Sequence, residues 1–264
     1  MYNISLNNDL LTLVDGKRIT IVGPAPYLVG SGEGAKIDNY DVVVRPNTFS
    51  LPSHLKKDYG SRTDIMFHNL GTVWQEGLKE QIKNDEDSFK NLKMVGCLAT
   101  KSNHSETNFL QWPEWYVSDV VRNFREVNKY NVPFYWIGNS DYRKLYNKIG
   151  VEPNTGIMAI VVLLHYPIKE ILVTGFSFYL NGNTHDATYY HGCLSESDKK
   201  IYNGRYGARH GDNSNEVQIE FFKMLTKKHS SVLRIDQTIK KLLKLWVALL
   251  LKCSSKNIYS HKSI

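Results

Sequence analysis

Residues 17–47, KRITIVGPAPYLVGSGEGAKIDNYDVVVRPN, constrain the fold more than any other part of the chain. Ile19–Val22 is a short apolar run stopped at Gly23-Pro24. Such a run, cut off by breakers, predicts a buried strand. A turn rich in glycine and proline follows, Gly23-Pro24-Ala25-Pro26 and then Gly30-Ser31-Gly32-Glu33-Gly34. Tyr40–Val44 is a second apolar run, and it ends at Arg45-Pro46-Asn47. Strand, Gly-rich turn, short helical piece and strand make half of a nucleotide-binding α/β unit, whose ligands bind at the carboxyl ends of the strands. Glycines in that turn let backbone N–H groups approach a phosphate. The turn does not spell the dinucleotide fingerprint, because Gly30-Ser31-Gly32 does not directly follow a strand. Two readings stand at this point, a phosphate-holding turn and a plain surface turn of a Rossmann-like protein.

The rest of the chain continues the alternation. Gly60-Ser61-Arg62-Thr63-Asp64 leads into a strand at Asp64–Phe67, with His68 and Asn69 at its end. His68 reads either as a site-lining group or as a satisfied strand-end histidine. Residues 71–92 look helical and exposed, and Asp85-Glu86-Asp87 within them reads as a solvated turn rather than a metal-binding D-x-D. Leu92–Leu98 and Pro133–Ile137 are further strands, and Val117–Lys129 has helical spacing. The loop at 100–115, with Trp112 and Trp115, is either an acceptor-site lid or a cap on the core. Alternating strands and helices favour a mostly parallel sheet with helices on both faces.

Pro153–Phe176 is the second anchor. Asn154 and Thr155 are good N-cap residues before an apolar helix at Ile157–Leu164, and Ile171–Val173 is a buried strand stopped by Gly175. A helix start at Thr155-Gly156 offers free N–H groups and the positive dipole end, an anion site of roughly 0.3–2 kcal/mol per charge. The same residues also suit an ordinary capped core helix. Two later segments carry histidines: 181–192, with His185, Tyr189, Tyr190 and His191, and 208–216, with His210 and Glu216. Glu216 has a structural reading as well, because Asn213 and Glu216 form a capping-box pattern before a helix at Glu216–Thr226.

Size and charge bound the function. The 264 residues suggest one large domain with appendages, here 1–238 followed by a basic apolar tail at 239–264. The net charge of +7 suits an anionic small substrate. The basic residues are scattered rather than striped, so nucleic acid is not an expected partner. Three cysteines, Cys97, Cys193 and Cys253, in no C-x-x-C pair predict neither a disulfide frame nor a zinc site. They fit a reducing compartment. The N-terminus has neither a basic leader nor a long apolar core. The expected location is cytoplasmic, with contact between 239–252 and an anionic membrane face as one reading of the tail and a helix packed on the domain as the other.

Four stretches, 17–47, 153–176, 185–192 and 208–216, resemble in their order the sialyl motifs of glycosyltransferase family 29. The first matches the large motif through Val22-Gly23, Leu28, Gly30-Ser31, Gly34, Ile37-Asp38, Asp41, Val43-Val44-Arg45 and Asn47. Pro24 stands where that family usually has Asn, so the family's phosphate contact is not carried over at this position. The second matches the small motif through Pro153, Thr155-Gly156, Ala159, Leu164-His165 and Gly175-Phe176. Tyr189-Tyr190-His191 resembles the third motif, H-Y-Y, in another order, and His210 with Glu216 resembles the fourth, H-x4-E, with one extra residue. The animal members' disulfide has no counterpart, since the positions near Ile19 and Ile168 are not cysteine. The missing anchor is similar to a bacterial or viral relative.

The resemblance implies a single Rossmann-like domain of the GT-A-like variant. It implies transfer of sialic acid, or a related acid sugar, from a CMP-linked donor to a glycan hydroxyl, with inversion and with no metal or other cofactor. It places Gly23, Ala25, Asn47, Thr155, Gly156, Gly175, Phe176 and Tyr190 on the donor, His210 as the base and His191 (or His185) at the departing phosphate. The chemistry suits the residues, because a hydroxyl needs a base near neutral pKa. A silent nucleotide- or glycan-binding protein on the same fold is the alternative. An NAD-dependent enzyme ranks last, because Arg45-Pro46-Asn47 ends the second strand where an acidic ribose-binding residue is required.

Overall fold

The computed structural model describes residues 4–70, 72–97, 119–151, 153–178 and 211–244. A helix α1 (Asn8–Val14) leads into β1 (Arg18–Val22), α2 (Gly34–Asp38), β2 (Val42–Pro46), α3 (Lys56–Tyr59) and β3 (Ile65–His68). Then come α4 (Thr72–Asn84), α5 (Glu86–Lys90), β4 (Met94–Cys97), α6 (Asp119–Val127) and β5 (Phe134–Trp136). The chain continues with α7 (Asn139–Ile149), α8 (Thr155–Leu163), β6 (Glu170–Thr174), α9 (Gly211–Lys228) and β7 (Leu233–Ile235). The strands form one sheet in the order β5-β4-β3-β2-β1-β6-β7. Every pairing in it is parallel.

Side chains alternate across this sheet as a strand requires. Ile19, Ile21, Val42, Val44, Ile65 and Phe67 face a core shared with α1, α7, α8 and α9. Met66, Val95 and Cys97 face the opposite layer, with Phe89 of α5 and Phe124 of α6. Val22 and Val43 also face that side and meet Ile37 of α2 and Tyr59 of α3. Helices therefore cover both faces, which is why the strands read as continuous apolar runs. α8 is buried from Gly156 through Leu163, as a helix apolar on all sides must be.

Much of the long motif around β2 builds this frame. Arg45 is buried, and its Nη2 donates to the Tyr59 carbonyl at 2.7 Å, with the Gly60 and Arg62 carbonyls at 3.3 and 3.2 Å. Its Nε donates to Thr63 Oγ1 at 3.0 Å. The Asp38 carboxyl accepts the Ser61 N–H at 2.8 Å and the Arg62 N–H at 3.2 Å. Asp41 accepts the Arg18 N–H at 2.8 Å, and Asp64 accepts the Val43 N–H at 2.8 Å. These side chains seal the bottoms and turns of β1 to β3.

Several elements depart from the sequence reading. α1, α3, α7 and β7 were not expected. α9 begins at Gly211 rather than Glu216, so Asn213 lies inside the helix and Glu216 sits on its exposed surface rather than at a cap. Asp85 is the N-cap of α5, accepting the Ser88 N–H, rather than part of a free turn. Residues 237–244 are helical. Ile239 and Leu243 there are buried in the main core, so the apolar side of this part of the tail faces the domain. Among the described residues no helix is long and apolar enough to cross a membrane.

Replacing Arg45 with Met removes the buried donors and leaves the Tyr59, Gly60 and Arg62 carbonyls without them. The expected loss is about 3 kcal/mol. For a chain of this size that lowers Tm by roughly 6–12 °C, read by differential scanning calorimetry. An unchanged Tm contradicts the clamp.

Candidate active site

The strand order reverses between β1 and β6, since β2 to β5 build outward from one side of β1 while β6 and β7 extend the other. In an open parallel sheet such a reversal opens a crevice beyond the carboxyl ends of the two strands. The parallel pairing of β1 with β6 runs to Val22 opposite Thr174. It then continues past both strands, with the Gly23 N–H donating to the Thr174 carbonyl and the Ala25 N–H to the Gly175 carbonyl, both at 2.8 Å. The two turns are pressed together. A Cβ on Gly23 would lie 2.7 Å from the Phe176 ring and collide with the Gly175 carbonyl. A Cβ on Gly175 would collide with the Gly23 carbonyl, and its φ of +74° is left-handed besides.

The start of α8 forms the next wall. Asn154 caps the helix, its Oδ1 accepting the Ile157 N–H at 2.8 Å while its carbonyl accepts the Met158 N–H at 3.0 Å. The N–H groups of Thr155 and Gly156 belong to the first turn, which has no intrahelical acceptors. Gly156 has no side chain because the Phe176 ring occupies that space. Phe176 thus fills the gap between the end of β1 and the first turn of α8. Phe178 continues the aromatic layer, with its ring 4.9 Å from Phe222 of α9. The buried Gln218 of α9 accepts the Asn154 N–H at 2.8 Å, tying that helix to the same corner.

Asn47 follows β2, beside β1 in the sheet. Its φ is +62°, its N–H donates to the Phe67 carbonyl at 2.7 Å, and its buried Oδ1 has no hydrogen-bond partner. Left-handed non-glycine residues gather at this edge: Asn47 after β2, Leu70 after β3 and Phe178 after β6. Backbone strain of this kind concentrates where structure is held for function. His68 ends β3, buried, with Nδ1 accepting the Leu70 N–H at 2.9 Å. It is the satisfied strand-end histidine of the two sequence readings. Burial pulls its imidazole down to about 3.

Of the expected donor residues, Gly23, Ala25, Thr155, Gly156, Gly175 and Phe176 come together in the β1/β6 crevice, and Asn47 sits one strand away. Ala25 is fully enclosed, with its carbonyl accepting the Tyr59 hydroxyl at 2.8 Å, so it fixes the turn from behind. Tyr190, His185, His191 and His210 lie outside the described residues, as do the loops at 100–115 and 181–192. At Gly30–Gly34 the structure favours the plain turn of the two sequence readings. The N–H groups of Gly30 and Gly32 donate to the Asp58 carboxyl at 2.9 Å each, so an internal carboxyl group occupies them instead of a phosphate. Those two bonds hold the Asp58 carboxyl below its usual range. No group of three His, Cys, Asp or Glu able to hold a metal occurs among the described residues.

Tyr27, Asp236 and Gln218, which build the site, escaped the sequence reading. Tyr27 donates to Asp236, and its hydroxyl accepts the N–H groups of Gly175 and Phe176. Those partners are separated by well over a hundred positions in the chain, so no local pattern reveals them.

Residues 14–206 match glycosyltransferase family 29 (sialyltransferase). The matched span covers the β1 turn, the start of α8 and the β6 turn, and it ends before His210. Among solved structures, the fold resembles a mammalian sialyltransferase in complex with Gal-beta-1-3GalNAc-ortho-nitrophenol, at 17% identity over 88% of this chain and 74% of that one, TM-score 0.49. It also resembles the sialyltransferase CstII from Campylobacter jejuni in complex with cytidine-5'-monophosphate, at 18% identity over 84% of this chain and 80% of that one, TM-score 0.46. A search of curated protein sequences finds no match.

The depressed His68 makes stability depend on pH. An unfolded histidine titrates near 6.5, so below that pH the unfolded chain binds a proton the folded chain refuses. The contribution is therefore whole above about pH 6.5 and is lost as pH falls toward 3, at up to about 1.4 kcal/mol per unit. His68→Asn keeps an acceptor for the Leu70 N–H and removes the titration. Urea unfolding at pH 7, 6 and 5 is expected to show the wild type losing up to about 2 kcal/mol more than the variant, and parallel profiles contradict this reading.

Proposed function

The chain belongs to glycosyltransferase family 29, and we propose that it moves sialic acid, or a related acid sugar, from a CMP-linked donor to a hydroxyl of a glycan acceptor, with inversion, without a metal ion, and with His210 as base. The observation that carries this reading is the meeting of Gly23, Thr155-Gly156 and Gly175-Phe176 in one crevice at the strand reversal. These residues come from motifs more than a hundred positions apart.

The proposed chemistry follows from the groups. An acceptor hydroxyl attacks the anomeric carbon from the face opposite the phosphate. The carbon–oxygen bond to CMP breaks, its electron pair leaves with the phosphate, and the hydroxyl proton passes to the His210 imidazole. A base with a pKa near neutral suits this transfer. The sugar carries oxocarbenium character as CMP departs, and the phosphate oxygen gains charge. The Thr155 and Gly156 N–H groups at the start of α8, with Tyr190 and His191, are the proposed donors to that oxygen. Support for His210 comes from its place in the chain, directly before Gly211, the first residue of α9, whose Gln218 is bonded to the cap of α8. Membrane contact through 239–252 remains part of the proposal, and it falls to residues beyond 244, since Ile239 and Leu243 face the core.

A second reading is a silent binder of a nucleotide or glycan on the same fold. It is favoured by Pro24 standing where the family usually has Asn and by the extra residue between His210 and Glu216.

Release of CMP from CMP-sialic acid, with a glycan mixture and with or without EDTA, separates the two. The expected result is release unaffected by EDTA and reduced about 100-fold or more by His210→Ala, with CMP binding retained. Full release by the variant overturns His210 as base. CMP binding with no release supports the silent reading, and no binding of CMP removes the donor assignment.

A further inference from the structure

The Gly175-Phe176 turn is held from outside its own strand. Its two N–H groups both point at one oxygen, the Tyr27 hydroxyl, at 2.6 Å from Gly175 and 3.1 Å from Phe176. The same hydroxyl donates to Asp236 Oδ2 at 2.6 Å. A phenol oxygen offers one donor and two acceptor sites, and here all three are used. Burial, with Asp236 close by, pushes the Tyr27 hydroxyl well above the usual phenol range, so it keeps its proton and its donor role at any ordinary pH.

Asp236 is itself locked. Its Oδ2 also accepts the Thr174 hydroxyl at 2.7 Å, and its Oδ1 accepts the Ile239 N–H at 2.7 Å. Its own N–H donates to the Val173 carbonyl at 3.2 Å, and its carbonyl accepts the Lys240 N–H at 3.1 Å. The carboxyl group therefore caps the helix at 237–244 and aims the Tyr27 hydroxyl in the same act. Tyr27 lies on the turn after β1, and Asp236 follows β7 directly. The pair thus joins the turn after β1, the turn after β6 and the beginning of the C-terminal helix through one proton-donating contact.

We propose that Tyr27 and Asp236 are positioning residues that set donor affinity by fixing the Gly175-Phe176 turn against Gly23 and the first turn of α8. This rests on the assignment of the crevice as the CMP-donor site. Neither residue is asked to touch the reacting atoms. Their work is to keep a left-handed glycine and the following aromatic ring in one arrangement against Gly23 and Gly156. A consequence is that docking of the C-terminal helix and the shape of the donor crevice share a residue, Asp236.

The test uses the full chain as wild type, Tyr27→Phe, Asp236→Asn and the double variant. CMP affinity is measured by calorimetry, donor KM and kcat by CMP release, and amide exchange at Gly175 and Phe176 by NMR. Tyr27→Phe removes one oxygen and keeps the ring. Asp236→Asn keeps Oδ1 on Ile239 but puts an amide NH2 donor where Tyr27 and Thr174 need an acceptor, so it serves even where the first variant folds poorly. The expected result is CMP binding weakened about 10-fold in each single variant, the loss of roughly one hydrogen bond's net contribution. The double variant should be no weaker than the worse single one, because the two residues act as a unit. Donor KM should rise with kcat nearly unchanged, and exchange at Gly175 and Phe176 should quicken. A purely structural role would lower Tm and leave KM and CMP affinity alone. A folded variant that binds CMP within about twofold of wild type overturns the proposal while the donor site stands. Failure of the wild type to bind CMP overturns the donor assignment, and the proposal with it.

Discussion

Two backbones meet beyond β1 and β6 with no room for a side chain on either. Gly23 faces the Gly175 carbonyl, Gly175 faces the Gly23 carbonyl, and the Phe176 ring fills the space that a larger residue at Gly23 or Gly156 would need. The sheet reverses its order here, so this contact decides whether the reversal is a sealed joint or an open crevice. Parallel hydrogen bonding carried on to Ala25 keeps the two turns in register. The cap of α8 by Asn154 then sets the first helical turn against the same ring. Every other feature of the candidate site is arranged around that close approach.

The motif residues of the chain divide by what they touch. Arg45, Asp38, Asp41 and Asp64 spend their side chains on the backbone around β1 to β3. Asp58 spends its carboxyl on Gly30 and Gly32. These charged side chains shape loops, and the burial of Arg45, Asp58 and Asp64 is tolerable because each is bonded in more than one direction. Gly23, Gly156 and Gly175 contribute absence of bulk, and Phe176 contributes the ring they make way for. Asn47 is different again, since a left-handed backbone and an unpartnered buried Oδ1 mark it as strained and poised. A motif read as a uniform ligand-binding signature is therefore mostly scaffold, with the ligand-facing part confined to the strand-end turns.

Much of the fold could be read from residue patterns. β1, β2, β3, β5 and β6 are short apolar runs ended by Gly, Pro, Asn or His, β4 is an apolar run without such a stop, and α8 follows an Asn cap. The turn after β1 and the capped start of α8 were legible because turn chemistry and helix capping are local, whereas the donor role of Gly175-Phe176 was implied by the resemblance alone. What escaped was short or mixed. α1 buries only Leu10 and Val14, and β7 has three residues with one buried. α7 buries Asn139 and Asp141 beside Tyr142, Leu145 and Ile149, so its polar positions obscure its apolar stripe. The start of α9 was masked by a Gly/Asn/Ser run that reads as loop. The bonds of Tyr27 to Asp236 and of Gln218 to Asn154 depend on tertiary closure alone, and no spacing in the sequence signals them.

The most direct test of the account is a crystal structure of the chain with CMP bound. CMP is expected beyond the ends of β1 and β6, in contact with Gly23 and Gly175-Phe176, with its phosphate near the Thr155 and Gly156 N–H groups. CMP bound at the Gly30–Gly34 turn in place of Asp58, or anywhere away from the strand reversal, would contradict the account.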